Sequence, residues 1–64
     1  MRVYLTFKPG GKLTPYPRCY TTLDSVLDTK GMNYTRADVD AIRAGKAVTM
    51  SSFIGDTYLV EPTN

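Results

Sequence analysis

The residues that usually perform catalysis at neutral pH are poorly represented in this chain of 64 residues. There is no histidine, so Cys19 lacks the imidazole that would generate a reactive thiolate. Ser51 and Ser52 lack the same base and are expected in an ordinary strand. We therefore expect that the protein is not an enzyme and that it acts by binding.

Two pairs of aspartates are the strongest candidates for a metal site. Asp24 and Asp28 stand four residues apart on one predicted helix, and Asp38 and Asp40 flank the first turn of another. Helix capping and solvation by water explain both pairs without a metal. A magnesium site usually also needs a phosphate-bearing substrate, so the two pairs alone do not indicate one. A cysteine-rich structural zinc site is excluded, since the chain has one cysteine and no histidine to replace the missing thiolates. No metal or cofactor is expected.

Basic and aromatic side chains are interleaved through the first twenty residues. Residues 1–20 hold four basic side chains and no acid, a local charge of +4, whereas residues 21–64 hold four basic and six acidic side chains, a local charge of −2. Tyr4 is expected on the outward face of the first strand, beside Arg2 and Lys8. The candidate partner-binding residues are Arg2, Tyr4, Lys8, Lys12, Tyr16, Arg18 and Tyr20.

A protein partner is the leading hypothesis for this basic, aromatic region. The five tyrosines and two phenylalanines supply anchors of the type enriched at interface hot spots, and a basic region favours a partner of complementary charge. The first strand is also expected to lie at a sheet edge, where a partner strand could be added. The predicted function is to regulate or inhibit a larger macromolecule by protein–protein contact.

Nucleic acid is the alternative partner, because phosphates require positive charge and unstacked bases require aromatic surfaces. A more specific form of this hypothesis is a winged helix-turn-helix protein, in which two helices are also followed by a hairpin. Asp38 and Asp40 disfavour it, because they would repel the DNA backbone at the start of the recognition helix.

Cysteine content and hydropathy indicate where the protein acts. A single cysteine permits no disulfide within the chain, which suits a reducing compartment. No apolar run has the length of a secretory signal or a membrane span, so a soluble, cytoplasmic protein without membrane contact is expected. In size alone, and in no particular residue, the chain resembles short accessory proteins of bacteriophages and mobile elements, which often inhibit a host enzyme.

Hydrophobic periodicity predicts the elements that position the candidate residues. Apolar and polar residues alternate over residues 2–8, which predicts a strand that Pro9-Gly10-Gly11 ends. Two prolines confine any strand within residues 12–20 to a sheet edge, with residues 18–20 as its best candidate.

Two helix starts of the same form follow. Thr21-Thr22-Leu23-Asp24 places an acid three residues after a capping threonine, and Gly31 is expected to end this helix. Thr35-Arg36-Ala37-Asp38 repeats the pattern, and Gly45 is expected to end the second helix.

The last part of the chain predicts a hairpin. Two β-rich runs, residues 47–53 and 58–60, flank Gly55-Asp56, which indicates a type II′ turn. The alternation does not define which hairpin face is buried, and residues 62–64 are expected to form a tail.

The predicted fold is therefore one small α+β domain over residues 1–64. An antiparallel sheet of the N-terminal strand, the edge strand and the C-terminal hairpin is expected to pack against two short helices. A chain this short buries only about 60% of the surface that its unfolded form exposes, so a homodimer is a further way to complete the core.

Overall fold

The computed structural model describes residues 1–11 and 13–63. Its elements are β1 (Arg2–Lys8), β2 (Cys19–Thr22), α1 (Leu23–Leu27), β3 (Met32–Asn33), α2 (Arg36–Arg43), β4 (Val48–Ser52) and β5 (Thr57–Pro62). The strands form one five-stranded antiparallel sheet in the order β2-β1-β5-β4-β3. The predicted α+β class, with an antiparallel sheet and two helices, is confirmed.

The first strand, β1, is an interior strand. It pairs with β5 from Val3 to Lys8 on one side and with β2 from Arg2 to Leu5 on the other. The prediction that it forms a sheet edge is therefore wrong. The alternation of apolar and polar residues correctly predicts that one face of β1 is buried. It does not predict whether one or two neighbouring strands form hydrogen bonds with the β1 backbone.

The two edges of the sheet are β2 and β3. An edge strand was predicted at residues 18–20, and β2 occupies that edge slightly later, over Cys19–Thr22. The short β3 was not predicted; it pairs Met32 with Ser52 of β4. Strand β3 lies between α1 and α2 along the chain, and both helices precede the β4–β5 hairpin.

Helix α1 differs from its prediction at both ends. Its N-cap is Thr22, whose hydroxyl accepts a hydrogen bond from the Ser25 N–H at 3.2 Å, so the cap lies one residue later than expected. Its C-cap is Asp28, so Gly31 does not end the helix. Gly31 instead has φ +84° and turns the chain into β3.

Helix α2 is confirmed at both ends. The Asp38 N–H donates to the Thr35 hydroxyl at 3.2 Å, and the Thr35 N–H donates to the Asp38 carboxylate at 2.9 Å, which completes a capping box. Gly45 follows the C-cap with φ +95°. The Gly45 N–H donates to the Ile42 carbonyl, and the Lys46 N–H donates to the Ala41 carbonyl. This pair of bonds is a Schellman stop.

The hairpin between β4 and β5 forms with a longer connection than predicted. The Gly55 N–H donates to the Ser52 carbonyl at 3.1 Å, and the Ser52 N–H donates to the Asp56 carbonyl at 2.9 Å. Three residues, 53–55, therefore lie between Ser52 and Asp56, which the hydrogen bond joins. Gly55, with φ +94°, is the last of the three and is not the first residue of a type II′ turn. Strand β5 continues through Pro62, which pairs with Val3 and shortens the expected tail.

The core lies between the two helices and one face of the sheet. Its fully buried side chains are Val3, Leu23, Val26, Ile42, Met50 and Val60. Met50 and Val60 identify the helix-facing side of the hairpin, which the sequence pattern left undefined. Within residues 1–11 and 13–63, no helix is long and apolar enough to cross a membrane.

Candidate functional site

One face of the sheet has no helix against it in the described part of the chain, and we call it the open face. Strand alternation places every second residue of β1 there, namely Arg2, Tyr4, Thr6 and Lys8, because Val3 points into the core. The strand register adds Tyr20, Thr49, Leu59 and Glu61, which stand opposite these residues or opposite one another.

Four of the predicted partner-binding residues form one cluster on the open face, which we call the Arg–Tyr cluster. Tyr4 and Tyr20 are directly opposed across β1 and β2, and their ring centroids lie 5.4 Å apart at an interplanar angle of 54°. The Arg18 guanidinium carbon stands 4.0 Å from the centroid of Tyr4, and that of Arg2 stands 5.2 Å from the centroid of Tyr20. The pairing of β1 with β2 thus brings together residues 16 positions apart in the chain.

The cation–π contacts hold the two guanidiniums over the rings. A guanidinium packed flat on a ring keeps its N–H edges directed sideways, where they can bind carboxylate or phosphate oxygens. Side chains that are already held in place lose less conformational entropy when a partner binds. Glu61 lies opposite Tyr4 in the register and is the acidic residue of the open face, so Arg2, Arg18 and Lys8 leave that face cationic.

An open cleft of about 500 Å³ adjoins the Arg–Tyr cluster at the end of the sheet. We call it the end cleft; it is lined by Met1, Arg2, Tyr20, Arg43 and Thr63. The Thr63 hydroxyl donates to the Arg2 carbonyl at 3.1 Å and thereby ties the two ends of the described chain together. Arg43 lies in the last turn of α2, and no local pattern in the sequence places it in the same cleft as Arg2.

Three predicted binding residues lie outside the Arg–Tyr cluster. Lys8 shares the open face but stands at the opposite end of β1 from Arg2. Tyr16 belongs to the other side of the sheet, where its ring centroid lies 5.6 Å from that of Phe7 and its N–H donates to the Phe7 carbonyl at 2.9 Å. Lys12 lies outside the described residues.

A second exposed region, missed in the sequence, lies at the far end of the sheet and is called the apolar end. Leu13, Phe53 and Ile54 are 95%, 77% and 69% exposed on its two loops. The Gly10 N–H donates to the Asp56 carboxylate at 2.8 Å, which joins the loop after β1 to the hairpin loop. The sequence feature that could have predicted the apolar end is the presence of large apolar residues close to the glycines of predicted turns.

No cluster of three or more potential metal ligands occurs among residues 1–11 and 13–63. Cys19 is exposed as a free thiol on the edge strand. Burial raises the pKa of the Tyr58 hydroxyl, and the nearby Asp56 carboxylate raises it further. The ring centroids of Tyr58 and Phe7 lie 4.9 Å apart on the helix-bearing side of the sheet, so Tyr58 does not contribute to the open face.

The chain was compared with family models, curated proteins and solved structures, and none of them matches it.

Proposed function

We propose that this protein docks its open face on an acidic surface of a larger protein and thereby regulates or inhibits that protein. The observation that carries the proposal is the Arg–Tyr cluster on a sheet face that neither helix covers. Arginine and tyrosine are the side chains that most often dominate binding energy at protein interfaces. The absence of histidine supports a non-catalytic role.

The dimensions of the molecule suit a single protein interface. Its two longer extents are 31 and 22 Å, so its broadest projection covers roughly 700 Å², near the ~800 Å² that each partner contributes to an interface of standard size. A stable complex would therefore need most of the open face. The partner would contact Thr49 and Leu59 at its centre as well as the Arg–Tyr cluster near one edge.

The geometry of the two rings favours a protein over single-stranded nucleic acid. Bases stack on ring faces that are free, and successive bases need successive free rings. Arg18 already occupies one face of Tyr4 at 4.0 Å, and the 54° tilt prevents Tyr4 and Tyr20 from forming a continuous platform. The guanidinium edges suit carboxylates, which an acidic protein surface supplies.

The exposed Cys19 thiol supports action in a reducing compartment, and we propose the cytoplasm. The small size supports the further proposal of an accessory protein from a phage or mobile element that acts on a host enzyme. Strand addition at β1 is not part of the proposal, because both of its edges are already paired.

The proposal is tested by affinity capture with charge-matched variants. R2A/R18A removes two cations from the open face, whereas R36A/K46A removes two exposed cations from α2 and the turn that follows it. We expect a captured protein to be lost with the first variant and retained with the second, at equal folding by circular dichroism. T49E, a change at the exposed centre of the open face, should also abolish capture. Equal capture by all variants would refute docking through the open face.

Nucleic acid binding is tested on the same preparations. A nucleic-acid protein would be retained on heparin and single-stranded DNA at low salt and released steeply as salt rises. Retention that is abolished in R2A/K8A/K12A/R18A would make nucleic acid the primary partner and overturn the proposal. We expect at most weak retention, because the open face carries few cations and also Glu61.

A further inference from the structure

The end cleft brings two arginines together from opposite parts of the chain. Arg2 belongs to β1 and Arg43 to the last turn of α2, and both line the cleft with Tyr20 and Thr63. Arg2 is held over Tyr20 by its 5.2 Å cation–π contact, and its backbone is held by the Thr63 hydroxyl. The cleft is therefore lined by two basic residues, an aromatic residue and a threonine whose hydroxyl bonds to the Arg2 carbonyl.

The charge of the cleft indicates the charge of its ligand. Two guanidiniums are neutralised by a dianion, and the planar N–H fork of arginine matches the oxygens of phosphate as well as those of carboxylate. A carboxylate or a phosphodiester carries a single negative charge, whereas a phosphate monoester carries about −1.5 to −2 at pH 7. We propose that the end cleft binds a phosphate monoester displayed on the protein partner.

The shape of the cleft argues that the phosphate is attached to a macromolecule. Sites for free small molecules bury about 70–90% of their ligand, but this cleft is broadly open to solvent. Tyr20 belongs to both the end cleft and the Arg–Tyr cluster, so a partner on the open face would carry a phosphorylated side chain directly to Arg2 and Arg43. The source of the phosphate rests on the proposed function; the anion site itself does not.

The test is a titration of the ¹⁵N-labelled full chain with phenyl phosphate, followed by backbone amide shifts. We expect saturable shifts centred on Arg2, Tyr20 and Arg43. R43Q should weaken binding about fivefold, the upper range for an exposed ion pair. R36Q, which removes the same charge from the first turn of the same helix, should leave binding unchanged. R2Q provides a second cleft variant if R43Q unfolds.

Three comparison ligands separate the outcomes. Benzoate binding as tightly as phenyl phosphate would overturn the preference for a dianion, and dimethyl phosphate binding equally would indicate a nucleic-acid backbone. Adenosine monophosphate binding far more tightly than phenyl phosphate would replace the displayed phosphate with a free nucleotide. Non-saturating shifts, or equal weakening by R43Q and R36Q, would overturn the site. Because the titration uses no partner, its failure is separate from failure of the capture experiment.

Discussion

The contact between Arg18 and Tyr4 should stabilise the fold by an amount that a double-mutant cycle can measure. The guanidinium carbon lies 4.0 Å from the ring centroid, well inside the roughly 6 Å limit of a cation–π interaction. Arg18 is exposed and Tyr4 is half-buried, so we expect the value for exposed sites, about 0.5–1 kcal/mol. For a chain of this length the total stability is of order 3–10 kcal/mol, so the contact contributes about a tenth.

The cycle comprises wild type, Y4L, R18A and Y4L/R18A, each unfolded in urea and followed by circular dichroism. The single variants also lose other contacts, such as the packing of Tyr4 on Tyr20, and the cycle cancels these losses. With an m-value of about 1 kcal/mol/M for a small domain, the expected coupling corresponds to about 0.5–1 M in the urea midpoint. R18K should keep only part of the coupling, because an ammonium is still attracted by the ring but lacks the flat stacking surface of a guanidinium.

A distant arginine supplies the control. The cycle between Y4L and R36A should be additive, since Arg36 lies on α2 on the other side of the sheet. If the Arg18 cycle gives the same coupling as the Arg36 cycle, the guanidinium is not held on the ring. The reasoning that the Arg–Tyr cluster is ordered before binding would then be refuted.

Two further predictions concern other parts of the fold. Gly31→Ala should lower the free energy of unfolding in urea more than Gly11→Ala does. Both glycines have positive φ, which costs a non-glycine residue about 1–2 kcal/mol. Only at Gly31 would the new Cβ also lie 2.7 Å from an atom of the Phe53 ring. Adding Phe53→Ala should remove the difference, and a difference that persists would contradict the clash. The raised pKa of Tyr58 means that the unfolded chain releases this proton at a lower pH than the folded chain does. The free energy of unfolding should therefore be insensitive to Tyr58 below about pH 10 and fall as the pH rises from there toward the folded pKa. Tyr58→Phe should reduce that slope, and an unchanged slope in urea titrations at graded pH would exclude the burial effect.

Residues whose contacts lie within a few positions were predicted correctly from the sequence. The capping box of Thr35 and Asp38, and the stop at Gly45, use hydrogen bonds that span only three to five residues. Such bonds form whenever the local backbone is helical, so residue type and spacing suffice. The error at the start of α1 is small for the same reason: Thr21 and Thr22 are adjacent candidate caps, and it is the Thr22 hydroxyl that accepts the bond from the Ser25 N–H.

The Arg–Tyr cluster was predictable in composition but not in arrangement. The sequence grouped seven residues by charge and aromatic character, and the β1–β2 pairing selected four of them. Tyr4 and Tyr20 meet because the register places them opposite one another on the open face. Tyr16 precedes β2 and packs on Phe7 instead, and the loop conformation that puts it there depends on contacts that no spacing rule describes.

Composition and periodicity alone indicate a small α+β chain with a basic, tyrosine-bearing N-terminal region and no histidine-based chemistry. The three-dimensional structure was needed to show that β1 is interior, that Met50 and Val60 face the helices, and that Arg43 and Arg2 both line the end cleft. Each of these depends on pairing between distant segments; Arg2 and Thr63, for example, are 61 positions apart when they bond. Local periodicity reports which face of an element is buried, whereas the choice of neighbouring element is made by the packing of the whole sheet.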